Sequence, residues 1–198
     1  MSGTVIIDSG GANLASLQFA LERLGVAARV SADAGEVAAA ERVILPGVGS
    51  AADAMHRLRA AGLAELLPQL AQPVLGICLG MQLLFEHSAE GDTDCLGVLP
   101  GTVRRLDPSI TRPVPHMGWN CLHELAEDPL LKGLGPEAYF YFVHGYAAPL
   151  GAFTLARTHY GGEFSAVVRH RNFCGVQFHP ERSAASGARV LANFLDLS

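Results

Sequence analysis

The stretch P-V-L-G-I-C-L-G-M-Q-L-L-F-E, residues 73–86, is where the sequence most clearly predicts a fold. Its apolar start, residues 74–77, is typical of a buried strand. Gly76 and Gly80 stand on either side of Cys78. A sharp turn that exposes a nucleophile is strained and leaves little room for neighbouring side chains, so small residues are needed beside it. We therefore expect Cys78 at the tip of a strand-to-helix turn.

The apolar residues after the cysteine follow a helical pattern, which places Cys78 at the N-terminus of a helix; they are Met81, Leu83, Leu84 and Phe85. There, unpaired N–H groups and the helix dipole favour a thiolate, and the N–H of Leu79 can point at an oxyanion. The alternative is an ordinary buried cysteine. The flanking glycines favour the nucleophile.

A second stretch, F-C-G-V-Q-F-H-P at residues 173–180, predicts a buried strand that ends at a proline. Alternation along an extended chain puts His179 and Glu181 on the same side, so the carboxylate can orient the imidazole while the imidazole faces a thiol. A surface His-Pro-Glu turn is the alternative. Together with the cysteine turn, the pattern favours a catalytic triad.

Alternating strand and helix signals fill the first half of the chain. Strands are predicted at residues 4–8, 26–30, 43–45 and 74–77, and helices at 13–24, 51–58 and 63–70. After about residue 90, shorter strands are predicted at 96–106, 116–122 and 139–147, with a hairpin at 153–158 and 164–169 and a last helix at 184–195. The fold class is therefore α/β: a single three-layer domain, residues 1–198, with a mainly parallel sheet flanked by helices and short antiparallel strands in the second half.

Composition restricts the possible partners. The chain has 198 residues, 49% of them hydrophobic, and a formal net charge of -5 with no basic cluster, so neither nucleic acid nor membrane is an expected partner. Four cysteines without paired spacing predict reduced thiols and a cytoplasmic location. Histidines and cysteines show no metal-ligand spacing, and we expect neither a metal site nor a cofactor.

The motifs resemble a known family, the class I or triad glutamine amidotransferases. The residues that carry the resemblance are G-I-C-L-G-M-Q (76–82), G-V-Q-F-H-P-E (175–181) and P-G-V-G (46–49), the last matching the family's oxyanion strand. Four further motifs resemble the glutaminase subunits of imidazole glycerol phosphate synthases: M-Q-L-L-F-E (81–86), P-H-M-G-W-N (115–120), Y-F-V-H-G-Y (141–146) and H-P-E-R-S (179–183). The resemblance extends from about residue 6 to the end of the chain.

The resemblance implies hydrolysis of the side-chain amide of L-glutamine. Cys78 attacks the carbonyl, His179 protonates the departing ammonia and Glu181 orients His179. The N–H groups of Leu79 and Val48 hold the oxyanion; glycines on both sides of Val48 let its peptide turn, although a plain loop is the alternative. The expected glutamine contacts are Gly47, Gly49, Gln82, Glu90, His144, Gly145 and Tyr146. A solvated helix residue is the alternative for Gln82.

The resemblance also implies a partner. Free ammonia protonates in water, and this chain has no domain for an acceptor substrate, so the expected partner is the cyclase subunit of imidazole glycerol phosphate synthase, a (β/α)8 barrel. The two would form a heterodimer that makes imidazole glycerol phosphate and an aminoimidazole carboxamide ribotide. The candidate interface comprises Asn13, Met117, Trp119, Asn120, Tyr141 and Arg182. Core packing is the alternative for Trp119. The chain departs from the family pattern at Ser9, Ala12, Gly145 and Arg182.

Three competing interpretations stay open. An α/β cysteine hydrolase acting on peptides or esters would use the same turn, although the His-Pro-Glu and P-G-V-G motifs favour the amidotransferase. A non-catalytic binding module would be expected to have lost the cysteine, histidine or glutamate, all of which are present. Amidotransferase subunits that serve chorismate, nucleotide or pyridoxal phosphate pathways are the rivals within the family, and the tryptophan-containing and Y-F-V-H motifs argue against them.

Overall fold

The computed structural model describes residues 3–8 and 14–197. Its strands are β1 (Thr4–Ile7), β2 (Arg29–Ser31), β3 (Arg42–Gly47), β4 (Val74–Cys78), β5 (Phe85–Ser88), β6 (Thr93–Asp94), β7 (Leu99–Arg105), β8 (His116–Cys121), β9 (Tyr139–His144), β10 (Tyr146–Ala147), β11 (Thr154–His159), β12 (Glu163–His170) and β13 (Phe173–Val176). Its helices are α1 (Leu14–Arg23), α2 (Ala34–Ala38), α3 (Ala51–Ala60), α4 (Leu63–Leu66), α5 (Leu79–Gln82) and α6 (Ala184–Leu195). Short 3₁₀ helices cover Leu67–Gln69, Pro129–Leu131 and Pro180–Arg182.

A seven-stranded sheet forms the centre of the molecule, with the strand order β11-β12-β13-β4-β3-β1-β2. Neighbours from β13 to β2 pair in parallel. At the other edge, β11 and β12 form an antiparallel hairpin that continues onto β13. The prediction of a mainly parallel sheet is therefore confirmed.

Helices cover both faces of this sheet. Ile6 and Ile44 pack with buried residues of α1 and α6, whereas their neighbours Val5 and Val43 pack with buried residues of α2, α3 and α4. Because side chains alternate between the two faces of a strand, a sheet covered on both sides has nearly continuous apolar strands. This explains the uninterrupted apolar runs in the sequence and the order of layers, helix, sheet and helix.

Two smaller sheets occupy the second half of the chain. One has the order β10-β7-β5-β6 and mixes parallel and antiparallel pairs. The other is the antiparallel ribbon β8–β9, in which Trp119 lies opposite Tyr141 and His116 lies opposite His144. The expected short antiparallel strands are present.

Two predicted helices were too long. The helix after Cys78 ends at Gln82, and Phe85 begins a strand that pairs with Leu99, so the helical interpretation of residues 83–85 was wrong. An apolar run buried on every side fits either element. The helix predicted at 63–70 is α-helical only to Leu66 and continues as a 3₁₀ turn, because Pro68 has no N–H to donate.

Several strand predictions were too long as well. Strand β2 begins at Arg29 rather than residue 26, and β7 begins at Leu99 rather than residue 96. The strand predicted at 139–147 is interrupted at Gly145, and the one predicted at 173–179 leaves the sheet after Val176. Three predictions concern residues outside the described part of the chain. They are the start of α1 at Asn13, the departures from the family pattern at Ser9 and Ala12, and the interface role of Asn13.

Candidate active site

The carboxyl ends of three neighbouring strands, β3, β4 and β13, meet at one edge of the central sheet. Gly47 of β3 lies opposite Cys78 of β4, and Val176 of β13 lies opposite Ile77. Crevices at the carboxyl ends of parallel strands are the usual ligand sites of open α/β sheets. A pocket of about 320 Å³ lies at this edge, and Cys78, His179 and Glu181 line it.

Cys78 has a strained backbone. Its φ of 54° and ψ of −110° lie outside the regions that residues with a side chain normally adopt. The turn also brings chains into close contact: a Cβ atom on Gly80 would lie 1.8 Å from the carbonyl oxygen of Leu45, and one on Gly76 would lie 2.7 Å from that of Gly80. The predicted strained turn with small neighbours is confirmed.

The helix that follows the cysteine is only four residues long. A single turn carries a much smaller aligned dipole than the full helix that the sequence predicted. Side chains beside the sulfur can therefore add to the support for a negative charge on it. The side-chain nitrogen of Gln177 donates to the Cys78 sulfur at 3.8 Å, and His179 contacts the sulfur too. A protonated Cys78 can in turn donate to the carbonyl oxygen of Val143, 3.7 Å away.

His179 is held between the thiol and a carboxylate. Its Nδ1 lies 2.9 Å from Oε1 of Glu181, and both side chains are more than nine-tenths buried. The His179 backbone is fixed too, because its N–H donates to the carbonyl of Tyr141 and its own carbonyl accepts from the hydroxyl of Ser183. The predicted contact between His179 and Glu181 is present, but the argument from strand alternation was wrong: Glu181 lies in the 3₁₀ turn that begins at Pro180.

Two opposing effects act on the imidazole of His179. Burial lowers its pKa, but hydrogen bonds to Cys78 and Glu181 and the negative charge on both groups outweigh burial and raise the pKa to about 10. An imidazole with such a pKa stays protonated at neutral pH. The geometry therefore favours an imidazolium beside the sulfur, which is the pair needed for attack by a thiolate and protonation of a leaving group.

The end of β3 and the loop after it line the same pocket through Gly47, Val48 and Gly49. Gly49 has a φ of 90°, which a residue with a side chain adopts only under strain. Glu90 also lines the pocket, and its Oε2 accepts a hydrogen bond from the N–H of Ala51, the first residue of α3. Glu90 therefore fixes the start of the helix that follows the Val48 loop.

Gln82 is 3% exposed, which excludes the interpretation of a solvated helix residue. Its side-chain nitrogen donates to the carbonyl of Tyr146 at 2.8 Å and to the side-chain oxygen of Gln177 at 3.0 Å. His144, Gly145 and Tyr146 line the same pocket. The structure thus brings together the predicted glutamine contacts; their roles stay predictions.

One face of the β8–β9 ribbon is exposed. Met117 is 65% exposed and Trp119 is 54% exposed, so the core-packing alternative for Trp119 is wrong. Tyr141 lies opposite Trp119 with ring centroids 6.0 Å apart, and Asn120 is half-buried and bonds the carbonyl of His159. Arg182 is exposed and lines the pocket.

Three polar residues near the site were not singled out from the sequence as site residues. Gln177 and His116 are buried and belong to the hydrogen-bond network that reaches Cys78, and Ser183 bonds the backbones of His179 and Tyr141. Gln177 could have been recognised from the sequence, because it is a polar residue inside a predicted apolar strand and buried polar groups need hydrogen-bond partners.

Residues 3–8 and 14–197 contain no group of three or more histidine, cysteine, aspartate or glutamate side chains arranged to hold a metal ion. In the same part of the chain, no helix is both long and apolar enough to cross a membrane.

Comparison with known proteins identifies the family. A family model described as class-I glutamine amidotransferase matches residues 5–197. The chain belongs to this family. Two relatives, each named imidazole glycerol phosphate synthase subunit HisH, come from Xanthomonas campestris pv. campestris (strain 8004) and Xylella fastidiosa (strain Temecula1). They are 61% and 56% identical over 198 and 197 residues, and the alignments cover 100% of this chain and 99% and 98% of the relatives.

Solved structures support the fold. A glutamine amidotransferase matches with a TM-score of 0.71 and 23% identity, over 98% of this chain and 97% of the other. A chain of PurLQS from Thermotoga maritima matches with a TM-score of 0.72 and 19% identity, over 98% of both chains. At these identities, the likeness concerns the fold alone.

Proposed function

We propose that this chain is the glutaminase subunit of an imidazole glycerol phosphate synthase and hydrolyses the side-chain amide of L-glutamine at Cys78. The observation that carries the mechanism is the arrangement of three groups in one pocket: Cys78 on a strained turn, His179 in contact with its sulfur, and Glu181 bonded to Nδ1 of His179. The full-length relatives support the particular reaction.

In the first half of the reaction, the Cys78 thiolate attacks the amide carbonyl of glutamine. The N–H groups of Leu79 and Val48 stabilise the negative oxygen of the tetrahedral intermediate. The His179 imidazolium gives its proton to the amide nitrogen, the carbon–nitrogen bond breaks, and ammonia leaves a thioester on Cys78. Glu181 keeps the proton on Nδ1 of His179 so that Nε2 faces the sulfur.

In the second half, a water molecule attacks the thioester and neutral His179 takes one of its protons. The carbon–sulfur bond breaks, and glutamic acid leaves and gives its remaining side-chain carboxyl proton to solvent. The site returns to the thiolate and imidazolium pair. Gln82 and Glu90 hold the α-amino and α-carboxylate groups of glutamine, together with the backbone of Gly47, Gly49 and residues 144–146. Neither half needs a metal or cofactor, because the charges that develop are matched by N–H donors and His179.

The chain is one subunit of a synthase, and its partner must receive ammonia before water protonates it. We propose that this partner is the (β/α)8-barrel cyclase subunit, in a cytoplasmic heterodimer to which this chain contributes a single domain. The exposed face of the β8–β9 ribbon, with Met117 and Trp119, is the proposed docking surface, together with Asn120, Tyr141 and Arg182. Large exposed apolar side chains next to a pocket favour such a surface.

The function is tested by measuring glutamate release from free glutamine, from glutamine-containing peptides and from esters. Free glutamine alone should be hydrolysed; turnover of the peptides instead would favour a peptidase-like hydrolase. The isolated chain should hydrolyse glutamine slowly. The cyclase subunit with its phosphorylated ligand bound should favour the conformation in which the Val48 N–H faces the oxyanion. Gain of this one donor should raise kcat by a factor on the order of a hundred. A fall in KM at constant kcat would instead indicate a change in ground-state binding.

The docking surface is tested by Trp119→Ala. A central aromatic anchor is worth about 2 kcal/mol, so the Kd for the cyclase subunit should rise roughly 30-fold. Leu150→Ala is the matched control, because Leu150 is an exposed apolar residue outside the ribbon, at 41% exposure. Equal losses in the two variants would remove the ribbon from the interface.

A further inference from the structure

A continuous chain of buried hydrogen bonds connects the β8–β9 ribbon with the Cys78 sulfur. His116 Nδ1 lies 3.1 Å from His144 Nε2, and His144 Nδ1 lies 2.7 Å from the carbonyl oxygen of Tyr146. The same carbonyl accepts from Gln82, Gln82 bonds Gln177, and Gln177 reaches the sulfur at 3.8 Å. His116, His144, Gln82 and Gln177 are all 6% exposed or less.

The direction of every bond in this chain follows from one group. The carbonyl of Tyr146 can only accept, so His144 must carry its proton on Nδ1 and Gln82 must present its NH₂ group. Burial lowers the pKa of His144 to about 3, so the ring is neutral and its Nε2 has a lone pair. His116 must therefore donate from Nδ1.

The same reasoning runs from Gln82 to the sulfur. The NH₂ of Gln82 gives one hydrogen to Tyr146 and the other to Gln177, which must therefore present its oxygen. The amide of Gln177 then has only its NH₂ left for Cys78. If the side-chain amide of Gln177 were turned by 180°, its NH₂ group would face the NH₂ group of Gln82. Both donors would then lack an acceptor, and a buried polar group without a hydrogen bond is costly.

We propose that Gln177 is a further catalytic residue, which donates a hydrogen bond to the Cys78 thiolate, and that Gln82, His144 and His116 are positioning residues that keep its NH₂ turned to the sulfur. The proposal deepens the proposed function and rests on Cys78 being its nucleophile. The donor adds to the small dipole of the one-turn helix α5. It also leaves the side-chain oxygen of Gln82 free to accept from the substrate.

The first test measures the rate at which iodoacetamide alkylates Cys78 as a function of pH, with the labelled cysteine identified by mass spectrometry. Gln177→Met keeps the length of the side chain but removes the donor. Loss of a bond to a charged acceptor should raise the midpoint of the profile by about one pH unit, with roughly tenfold slower alkylation below it. The other ionisable groups that line the pocket are unchanged in this variant: His179, Glu181, Arg182, His144, Glu90 and Tyr146.

Asn193→Leu is the matched control. Asn193 is also a buried amide, and it bonds the carbonyls of Leu130 and Lys132 away from the pocket. Its loss should lower stability without moving the alkylation midpoint. A folded Gln177→Met protein with the wild-type midpoint would overturn the proposal, and so would an equal shift in both variants.

A measurement on the wild-type chain covers the case in which Gln177→Met does not fold. In protein labelled with ¹⁵N at histidine and glutamine side chains, NMR should find His116 and His144 protonated at Nδ1. The side-chain NH₂ signal of Gln177 should move when Cys78 is alkylated. An Nε2 proton on His144, or an unmoved Gln177 signal, would refute the proposal. Because alkylation needs no glutamine, the two failures can be told apart. A chain that shows these signals but does not hydrolyse glutamine would refute the proposed function, whereas a chain that hydrolyses glutamine without these signals would refute this inference alone.

Discussion

The strained backbone at Cys78 predicts an inverted response to glycine. Cys78→Ala removes the thiol and keeps the Cβ atom at a φ of 54°, whereas Cys78→Gly removes both. A residue held in such a conformation costs about 1–3 kcal/mol, and glycine usually loses about 0.5–1 kcal/mol to alanine through its larger freedom in the unfolded chain. The glycine variant should therefore be more stable than the alanine variant, by about 1 kcal/mol at the middle of both ranges and by at most about 2.5 kcal/mol.

The assay is equilibrium unfolding in urea, with the free energy of unfolding of the two variants compared at equal slope. In a protein of this size, a difference of about 1 kcal/mol corresponds to a rise in Tm of roughly 2–4 °C. The control is Ala54→Gly, because Ala54 is buried in the middle of helix α3, where glycine should destabilise by about 1 kcal/mol. If Cys78→Gly were less stable than Cys78→Ala by the ordinary amount, the turn would hold no strain and the reasoning would fail.

Three further predictions concern the reaction and the ionisable groups. Cys78→Ser should abolish glutamine hydrolysis, and a glutamine-like electrophile should label Cys78 rather than Cys95 or Cys174. Burial raises the thiol pKa of Cys95 to about 11 and that of Cys174 to about 12, so neither forms a thiolate readily. Mass spectrometry identifies the labelled cysteine, and label on Cys95 or Cys174 would contradict the assignment. His179→Ala should lower kcat more than Glu181→Ala, because Glu181 acts only through the imidazole. Steady-state kinetics measures both values, and a lower kcat in Glu181→Ala than in His179→Ala would contradict this role. The His179 ring should stay doubly protonated up to about pH 10. The pKa of this ring should fall in Cys78→Ala, because the variant removes one of the groups that raise the pKa. An unchanged ¹⁵N titration of the ring would show that the sulfur does not raise the pKa of His179.

The catalytic motifs were predictable because each is short and its geometry is local. Gly76, Cys78 and Gly80 lie within five residues of one another. Gly80 packs against Leu45 of β3, and Gly76 packs against Gly80, because neither glycine has a side chain. His179 and Glu181 are close in the chain, so their contact was found even though the alternation argument was wrong. The parallel part of the sheet followed from the alternation of strands and helices in the first half of the chain.

The network around Gln177 could not be predicted in the same way. The direction of its amide depends on Gln82, on the carbonyl of Tyr146 and on His144, which the chain brings together from separate elements. The end of helix α5 at Gln82 has a similar cause, since Phe85 is drawn into a strand by its pairing with Leu99. Apolar periodicity shows that residues 83–85 are buried but not which element buries them.

The close approach of Gly80 to Leu45 has a consequence for the way related sequences should be compared. The glycine is required by packing, because any side chain there would collide with the backbone of the neighbouring strand whether or not glutamine is hydrolysed. A descendant of this protein that had given up catalysis could lose the thiol of Cys78, yet it would have to keep Gly80 to fold. The glycine in such a motif is therefore a marker of ancestry, and only the thiol beside it is a marker of activity.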